Sequence, residues 1–439
     1  MKKEIPVKTI TAGAIGGAIE FYDFTLYGVL APIFAMHYFP AEEKHWAIIS
    51  AYMVFAVGFI ARPIGSLIFG HIGDLYGRKK ALCGSLFFMS AATLMIGILP
   101  TYQSIGFWAP VGMIASRIIQ GISAGGEYSG AMILSIEHSD KKRIGLTGGL
   151  VASGCMAGLA LGSIAGTICL LPGMPEWCWR VPFLLGFLVS IVAIYVRLHI
   201  KESIDLTKIV RNVNYKKRMK DIIPVVFMSG FNGIGIYIYL VFFSTFITKS
   251  SGVSPLHAKI TTSVGIILLM SMQILFGWLS DKVGRIKLMK IGNILTVFMA
   301  IVLFLSPYSK SNYTYSVIMQ FTFIISLGMY SGPLNVFVVE VFDKSVRYRC
   351  TSISYSIGIG IIGGSAPLIA SLISLGENEA ILLSSYISLS GVIAFLSLLF
   401  ISKRIKNKTE IIQLKVSKNS TTNNEISHSI KKTGTYKDI

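Results

Sequence analysis

The chain has 439 residues, 53% of them apolar and only 14% charged, with a mean hydropathy of +0.66. Soluble domains carry about 25% charged residues, so there is too little polar surface here to cover a water-facing fold. Disordered, collagen-like and secreted disulfide-rich classes fail on the same figures. The formal net charge of +19 leaves a nucleic-acid binder to be weighed against where the charge lies.

Crossing the hydrocarbon as a helix takes about 20 apolar residues. Met1-Lys2-Lys3 resembles the start of a signal peptide, but Glu20 and Asp23 interrupt an apolar stretch that runs on past Phe34. The spacing therefore predicts an uncleaved first membrane helix over 9–36. Further segments follow at 46–69, 81–116, 144–175, 181–196, 222–248, 260–280, 291–309, 311–339, 350–376 and 380–402. Pro100 and Pro110 divide the third, whose second part continues through Arg117 towards Glu127. The reading is an all-α integral membrane protein of twelve transmembrane helices. Strands of a β-barrel would alternate in polarity, and these segments are apolar all round.

Most of the 40 Lys and Arg fall in alternate connections: 2–8, 78–80, 141–143, 197–220, 282–290, 344–349 and the tail from 403. The other connections hold only Lys44, Arg180, Lys249, Lys259 and Lys310. This is a positive-inside pattern. It places both termini in the cytoplasm of a multi-pass protein of the cell (inner) membrane, and it accounts for the charge without nucleic acid. Of the five cysteines, Cys178 alone stands in a polar connection. It reads as an unpaired external thiol, against a disulfide framework.

The most basic connection divides the chain nearly in half, and a repeat supports the cut. Gly70, Asp74, Gly77, Arg78 and Lys80 recur as Gly277, Asp281, Gly284, Arg285 and Lys287, at a constant offset of 207 residues. Two six-helix bundles around a central cavity follow, 1–200 and 222–402, joined by a linker at 201–221. The polar, basic tail at 403–439 lacks sustained heptads and is expected to be mostly disordered.

With these residues in view, the chain resembles the major facilitator superfamily, whose G-x-x-x-D-x-x-G-R-x-[KR] signature links helices 2 and 3. The resemblance narrows to its metabolite:proton symporter branch. It is carried by Glu20-Phe21-Tyr22-Asp23-Phe24, Ala61-Arg62-Pro63-Ile64-Gly65, Arg117-Ile118-Ile119-Gln120-Gly121 with Gly125-Gly126-Glu127, and Glu340-Val341-Phe342 with Val346-Arg347-Tyr348. Asp343 replaces a usual proline, and Leu75 stands where a basic residue often follows the loop aspartate. The resemblance implies gating contacts that latch one conformation. Asp74 and Asp281 would accept from helix N-terminal amides. Arg78 and Arg285 would pair with carboxylates, Gly77 and Gly284 would allow tight turns, and Glu340 and Arg347 would be partners in the second half. A plain topogenic turn is the alternative.

An ionisable group near the bilayer centre costs about 2.5–3.5 kcal/mol, so each needs a reason. Glu20, Asp23 and Tyr27 share one face of helix 1, and Arg117, Gln120 and Glu127 one face of helix 4. At about 1.5 Å per residue, Asp23 and Arg117 reach similar depth from opposite ends. They are expected to meet as a carboxylate–guanidinium pair lining the cavity. This is either a proton-coupling site or a fixed pair holding two helices. Glu20 and Glu127 are candidate proton relays or, equally, gating or packing groups, and Arg62 reads as snorkelling or gating. Gly154, Gly158, Gly162 and Gly166 form a side-chain-free ridge on helix 5.

In the second half Asn232, Tyr239 and Tyr330 join Tyr27 and Gln120 as candidate substrate residues. Tyrosine faces suit a quaternary ammonium. The expected function is proton-coupled uptake of a small zwitterion such as proline or glycine betaine. The alternative is an organic acid such as 2-oxoglutarate, citrate or shikimate. The expected partners are substrate, protons and lipid; the protein is taken as a monomer without a cofactor, the proton being the coupling ion. A channel would need a continuous polar pathway. An enzyme would need a nucleophile–base or metal set, and the seven histidines show no ligand spacing.

Overall fold

The computed structural model describes residues 7–39, 44–200, 202, 215–251, 253–305, 313–374 and 376–432. Twelve long helices account for nearly all of them. The first half holds α1 (Val7–Tyr38), α2 (Lys44–Leu75), α3 (Arg78–Ile98), α4 (Trp108–His138), α5 (Ile144–Cys169) and α6 (Arg180–Leu198). In the second half α7 runs through Tyr215–Tyr237, a π-helical stretch Ile238–Phe242 and Phe243–Ser251. It is followed by α8 (Pro255–Val283), α9 (Arg285–Leu305) and α10 (Tyr313–Glu340). Next, α11 joins Arg347–Tyr355, a π-helical stretch Ser356–Gly363 and Gly364–Ile373, and α12 spans Glu379–Lys432. Among the described residues eleven helices are long and apolar enough to cross a membrane. The remaining one, α4, matches them in length but carries Arg117, Gln120 and Glu127.

Two boundaries differ from the sequence reading. Helix 7 begins at Tyr215, inside the expected linker. The segment from 403, expected to be disordered, continues α12 as helix as far as Lys432. Its sequence has no Gly or Pro before Gly434, so nothing interrupts a helix that has already been nucleated in the bundle.

Glycine sets how closely the helices approach. A Cβ at Gly154, Gly158 or Gly162 of α5 would lie 2.5, 2.0 and 2.6 Å from carbonyl oxygens of Ala14, Ala18 and Tyr22 on α1. The expected glycine ridge is thus the seam on which α1 lies. Between α2 and α4, a Cβ at Gly65 would sit 1.7 Å from the Ile122 oxygen, and one at Gly125 2.1 Å from the Arg62 oxygen. The halves meet along two further seams, α2 with α11 and α5 with α8. In the second of these, a Cβ on Gly145 would be 2.2 Å from the Gly277 oxygen. The α2–α3, α4–α5, α8–α9 and α10–α11 connections gather at one end of the bundle, the basic end, rich in Lys and Arg.

Gly65→Leu should force α2 and α4 apart. Overpacking a tight contact costs about 1–3 kcal/mol or more, read as a lower unfolding temperature and folded yield in detergent. Gly84→Ala, whose Cβ would meet only Phe69 at 3.7 Å, should leave both unchanged.

Candidate functional site

The centre of the first half is a chain of buried polar groups from α1, α3 and α4. Asp23, Thr93, Arg117 and Gln120 are all fully buried. The Thr93 hydroxyl donates to Asp23 Oδ2 through a short bond. Gln120 Nε2 donates to Thr93 Oγ1 at 3.0 Å and to Asp23 Oδ2 at 3.4 Å, while Gln120 Oε1 accepts from Arg117 Nη1 at 2.8 Å. The amide therefore stands between acid and guanidinium, with a different atom turned to each. The rest of the Arg117 guanidinium lies over the rings of Phe24 (4.4 Å), Tyr27 (4.5 Å) and Phe55 (5.3 Å). Its Nη2 donates to the Phe55 carbonyl at 3.4 Å. Asp23 Oδ1 and Arg117 Nε have no hydrogen-bond partner.

The expected direct Asp23–Arg117 ion pair is therefore corrected. Helical spacing gave the right depth and face, but Gln120, one turn beyond Arg117, occupies the space between them. Both charges are buried in this state and do not line an open cleft.

Two other acids are held in buried ion pairs. Glu127 accepts from Arg197 Nη2 at 2.5 Å and from the Ser85 hydroxyl at 2.7 Å. Arg197 also donates to the carbonyls of Leu82 and Ala12, at 3.1 and 3.2 Å, joining α6 to α3 and α1. A Cβ on Gly16 would lie 1.7 Å from Arg197 Nη2, so that glycine makes room for the pair. Sequence reasoning counted Arg197 with the linker cations; its place at the last turn of a membrane helix was the available signal. Glu20 lies 3.2 Å from Arg62 Nη2 with both buried, and the Arg62 guanidinium rests on Phe24 and Phe59, at 4.2 and 4.9 Å. Arg62 is thus a buried counter-ion, because Pro63 and Gly65 press its turn of α2 against α4 and leave no route for snorkelling.

Of the substrate candidates, Tyr27 and Gln120 meet at Arg117, while those of the second half are held within that half. Tyr27 donates to the Ala51 carbonyl at 3.3 Å, Tyr239 to Thr262 at 3.5 Å and Tyr330 to Met228 at 3.0 Å, each inside its own half. Asn232 is buried with Oδ1 unpartnered. The π-helical stretch that begins at Ile238 shifts the helical register between Asn232 and Tyr239. What the sequence missed is an aromatic cluster between the halves. Phe59 packs on Phe24 (5.0 Å), Phe55 (5.2 Å) and Tyr237 (6.2 Å), and Tyr128 stacks on Tyr355 at 4.5 Å.

At the basic end the repeated motif ties the halves together. Asp74 accepts from the N–H groups of Tyr348 (3.2 Å) and Arg349 (3.0 Å) in the first turn of α11, and from Arg349 Nε at 3.0 Å. Asp281 accepts from the N–H groups of Gly145 (2.8 Å) and Leu146 (3.0 Å) in the first turn of α5. Helix N-termini leave such amides without intrahelical partners and carry partial positive charge. Arg78 pairs with Asp74, donates to the Lys344 carbonyl at 2.9 Å and lies 3.6 Å from Glu137. Arg285 mirrors it, 3.4 Å from Asp281 and 3.2 Å from Glu340, while Arg347 joins Glu137 at 3.1 Å.

Gly77 and Gly284 adopt positive φ, +110° and +99°, which a side chain would strain. Glu202, in the linker, accepts from the N–H groups of Arg78 (2.9 Å) and Lys79 (3.1 Å) beside Gly77. Deeper ties are Tyr128 to Asn335 at 3.0 Å and the Tyr348 hydroxyl to the Gly126 carbonyl at 2.8 Å.

Two bundles repeated about a central seam, with buried charges at mid-depth and paired loop motifs, define a membrane carrier. The Major Facilitator Superfamily profile matches residues 13–219 and 225–427. The chain belongs to that superfamily and is a multi-pass membrane transporter. It is 29% identical over 416 residues to a candidate proline/betaine transporter of Staphylococcus aureus (strain COL), covering 90% of this chain and 88% of that one. It is 28% identical over 415 residues to the proline/betaine transporter of Salmonella typhimurium, covering 89% and 82%. Its fold is that of the proton:xylose symporter XylE bound to 6-bromo-6-deoxy-D-glucose, with a TM-score of 0.73 over 92% of this chain and 96% of that one at 15% identity.

Arg197→Met should strand Glu127 and cost roughly 3–5 kcal/mol, since breaking a buried pair leaves an uncompensated charge. Adding Glu127→Gln should restore most of the loss, both read by thermal unfolding in detergent. Asp74→Ala should speed hydrogen exchange at the Tyr348 and Arg349 amides, and Asp281→Ala at those of Gly145 and Leu146.

Proposed function

We propose that the protein is a proton-coupled symporter of a small monocarboxylate zwitterion such as proline or glycine betaine. On the distribution of Lys and Arg, the basic end and both termini lie in the cytoplasm of a cell membrane. The state seen here is then closed to the cytoplasm. One observation carries the reading. Of the buried guanidiniums of Arg62, Arg117 and Arg197 in the first half, Arg117 alone has no carboxylate within 4 Å among the described residues. It keeps donor capacity for an anionic group, and its aromatic collar supplies surface for the apolar or cationic part of the same solute.

Asp23, linked to Arg117 only through Gln120, is the proton carrier. A proton on its unpartnered oxygen removes a buried charge when substrate is held, and its loss on the cytoplasmic side returns the carrier. Glu20 and Glu127 act as counter-ions that position α2 and α6. A dicarboxylate or tricarboxylate would call for a second uncommitted cation beside Arg117, and Arg62 is occupied by Glu20. This favours the zwitterion over 2-oxoglutarate or citrate.

The test is uptake and counterflow in proteoliposomes with radiolabelled proline, glycine betaine, 2-oxoglutarate, citrate and shikimate under imposed pH gradients. Proline or betaine should exchange and accumulate with an inward proton gradient. Asp23→Asn should abolish accumulation and retain counterflow. Arg117→Gln should raise the half-saturation concentration roughly 10- to 100-fold, for loss of a charge-assisted hydrogen bond worth roughly 1.5–3 kcal/mol. Gradient-driven uptake persisting in Asp23→Asn removes that residue from the mechanism, and exchange confined to the organic acids removes the zwitterion.

A further inference from the structure

The turn between α5 and α6 holds two thiols that transport does not use. Cys169 is the last residue of α5, and Cys178 stands two residues before α6 begins. Their sulfurs are 3.3 Å apart, the Cys178 thiol directed at Cys169 Sγ. The Cys169 thiol donates to the Cys178 carbonyl at 3.4 Å. The expected lone external thiol is therefore corrected: α5 ends close enough to α6 for a residue read as part of an apolar span to meet it.

The surroundings hold the two sulfurs in register. Cys169 is only 8% exposed and packs with Phe34, Trp179 and Phe183, and Cys178 leans on the same cluster. Between them every residue from Leu170 to Trp177 is exposed. The chain is turned back by hydrogen bonds from Met174 N–H to the Leu171 carbonyl (3.2 Å) and from Cys178 N–H to that of Pro175 (2.9 Å). The remaining thiols lie elsewhere: Cys83 on α3, Cys350 on α11 and Cys155 on α5, roughly 21 Å along the helix from Cys169.

We propose that Cys169 and Cys178 form a dithiol–disulfide site that staples the far end of α5 to the start of α6. The site lies opposite the basic end. On the orientation proposed above it faces outside, where disulfides persist; the chemistry is independent of what the carrier transports. An S–S bond needs the sulfurs at about 2.05 Å, roughly 1.2 Å closer than the present 3.3 Å contact.

The oxidant is a small external disulfide. The Cys178 thiolate, the more exposed, attacks one sulfur and expels a thiolate, giving a mixed disulfide. The Cys169 thiolate then attacks Cys178 Sγ, forming the protein S–S bond and expelling the second thiolate. Two thiols are oxidised and one disulfide is reduced to two thiols, which take up the released protons.

The experiment uses the full chain in intact cells exposed to hydroxyethyl disulfide, then denatured and labelled with maleimide-polyethylene glycol. Three adducts are expected before reduction and five after, matching the five cysteines. The unlabelled chain should weigh two hydrogens less than its reduced form. Cys169→Ser and Cys178→Ser should each show four adducts once brief mild reductant has cleaved any mixed disulfide back to the thiol, with no loss of two hydrogens. Five adducts without reduction in the oxidant-treated wild type, or a two-thiol loss that persists in either serine variant, overturns the site. Transport of any substrate is not part of the readout, so failure here and failure of the transport reading are separate results.

Discussion

A charge withdrawn from water into a low-dielectric interior must find its complement within a few ångströms or be lost to sequence change. That constraint organises the first half of the molecule. Arg197 reaches Glu127 and two backbone carbonyls, and so fixes α6 against α1, α3 and α4. Arg62 reaches Glu20 and seats α2 against α1. Gly16 leaves the room that the Arg197 guanidinium occupies. The third charged group is left incomplete, because Gln120 separates Asp23 from Arg117. Two closed pairs build a rigid frame, and the open one keeps a carboxylate oxygen and a guanidinium nitrogen without partners.

The ties at the basic end have a different physical character. Each motif aspartate meets the orphan amides of a helix start in the other half. Water can replace a carboxylate at such amides when the seam opens, so neither partner is left unsatisfied. Strength in the closed state and low cost of release follow from one geometry, repeated on α11 and α5. This suits a seam that must part and re-form.

Much of this was legible in the sequence. Long apolar runs gave the helices, and five matched positions at one offset gave the repeat. The pairing of motif aspartates with helix N-termini followed from the dipole. Contacts set by three-dimensional neighbours were not legible. Helical spacing put Asp23 and Arg117 at one depth but could not show that Gln120 would intervene. Arg197 looked like a linker cation because a helix end and a loop start read alike. Tyr239 and Tyr330 looked like cavity groups because an aromatic side chain in lipid sequence carries no mark of which way its hydroxyl turns. The π-helical stretches of α7 and α11 leave no periodic trace in the sequence.

The duplicated loop is also less symmetric than its letters. At Gly284 a methyl group would enter empty space and meet only the penalty of its backbone angle. At Gly77 the same methyl would land 2.3 Å from Glu202 Oε2, in the seat of the segment that leads out of the first bundle. One copy of the turn is free-standing and the other is a mooring. Inheritance can therefore relax the second copy more readily than the first, although both descend from the same pattern.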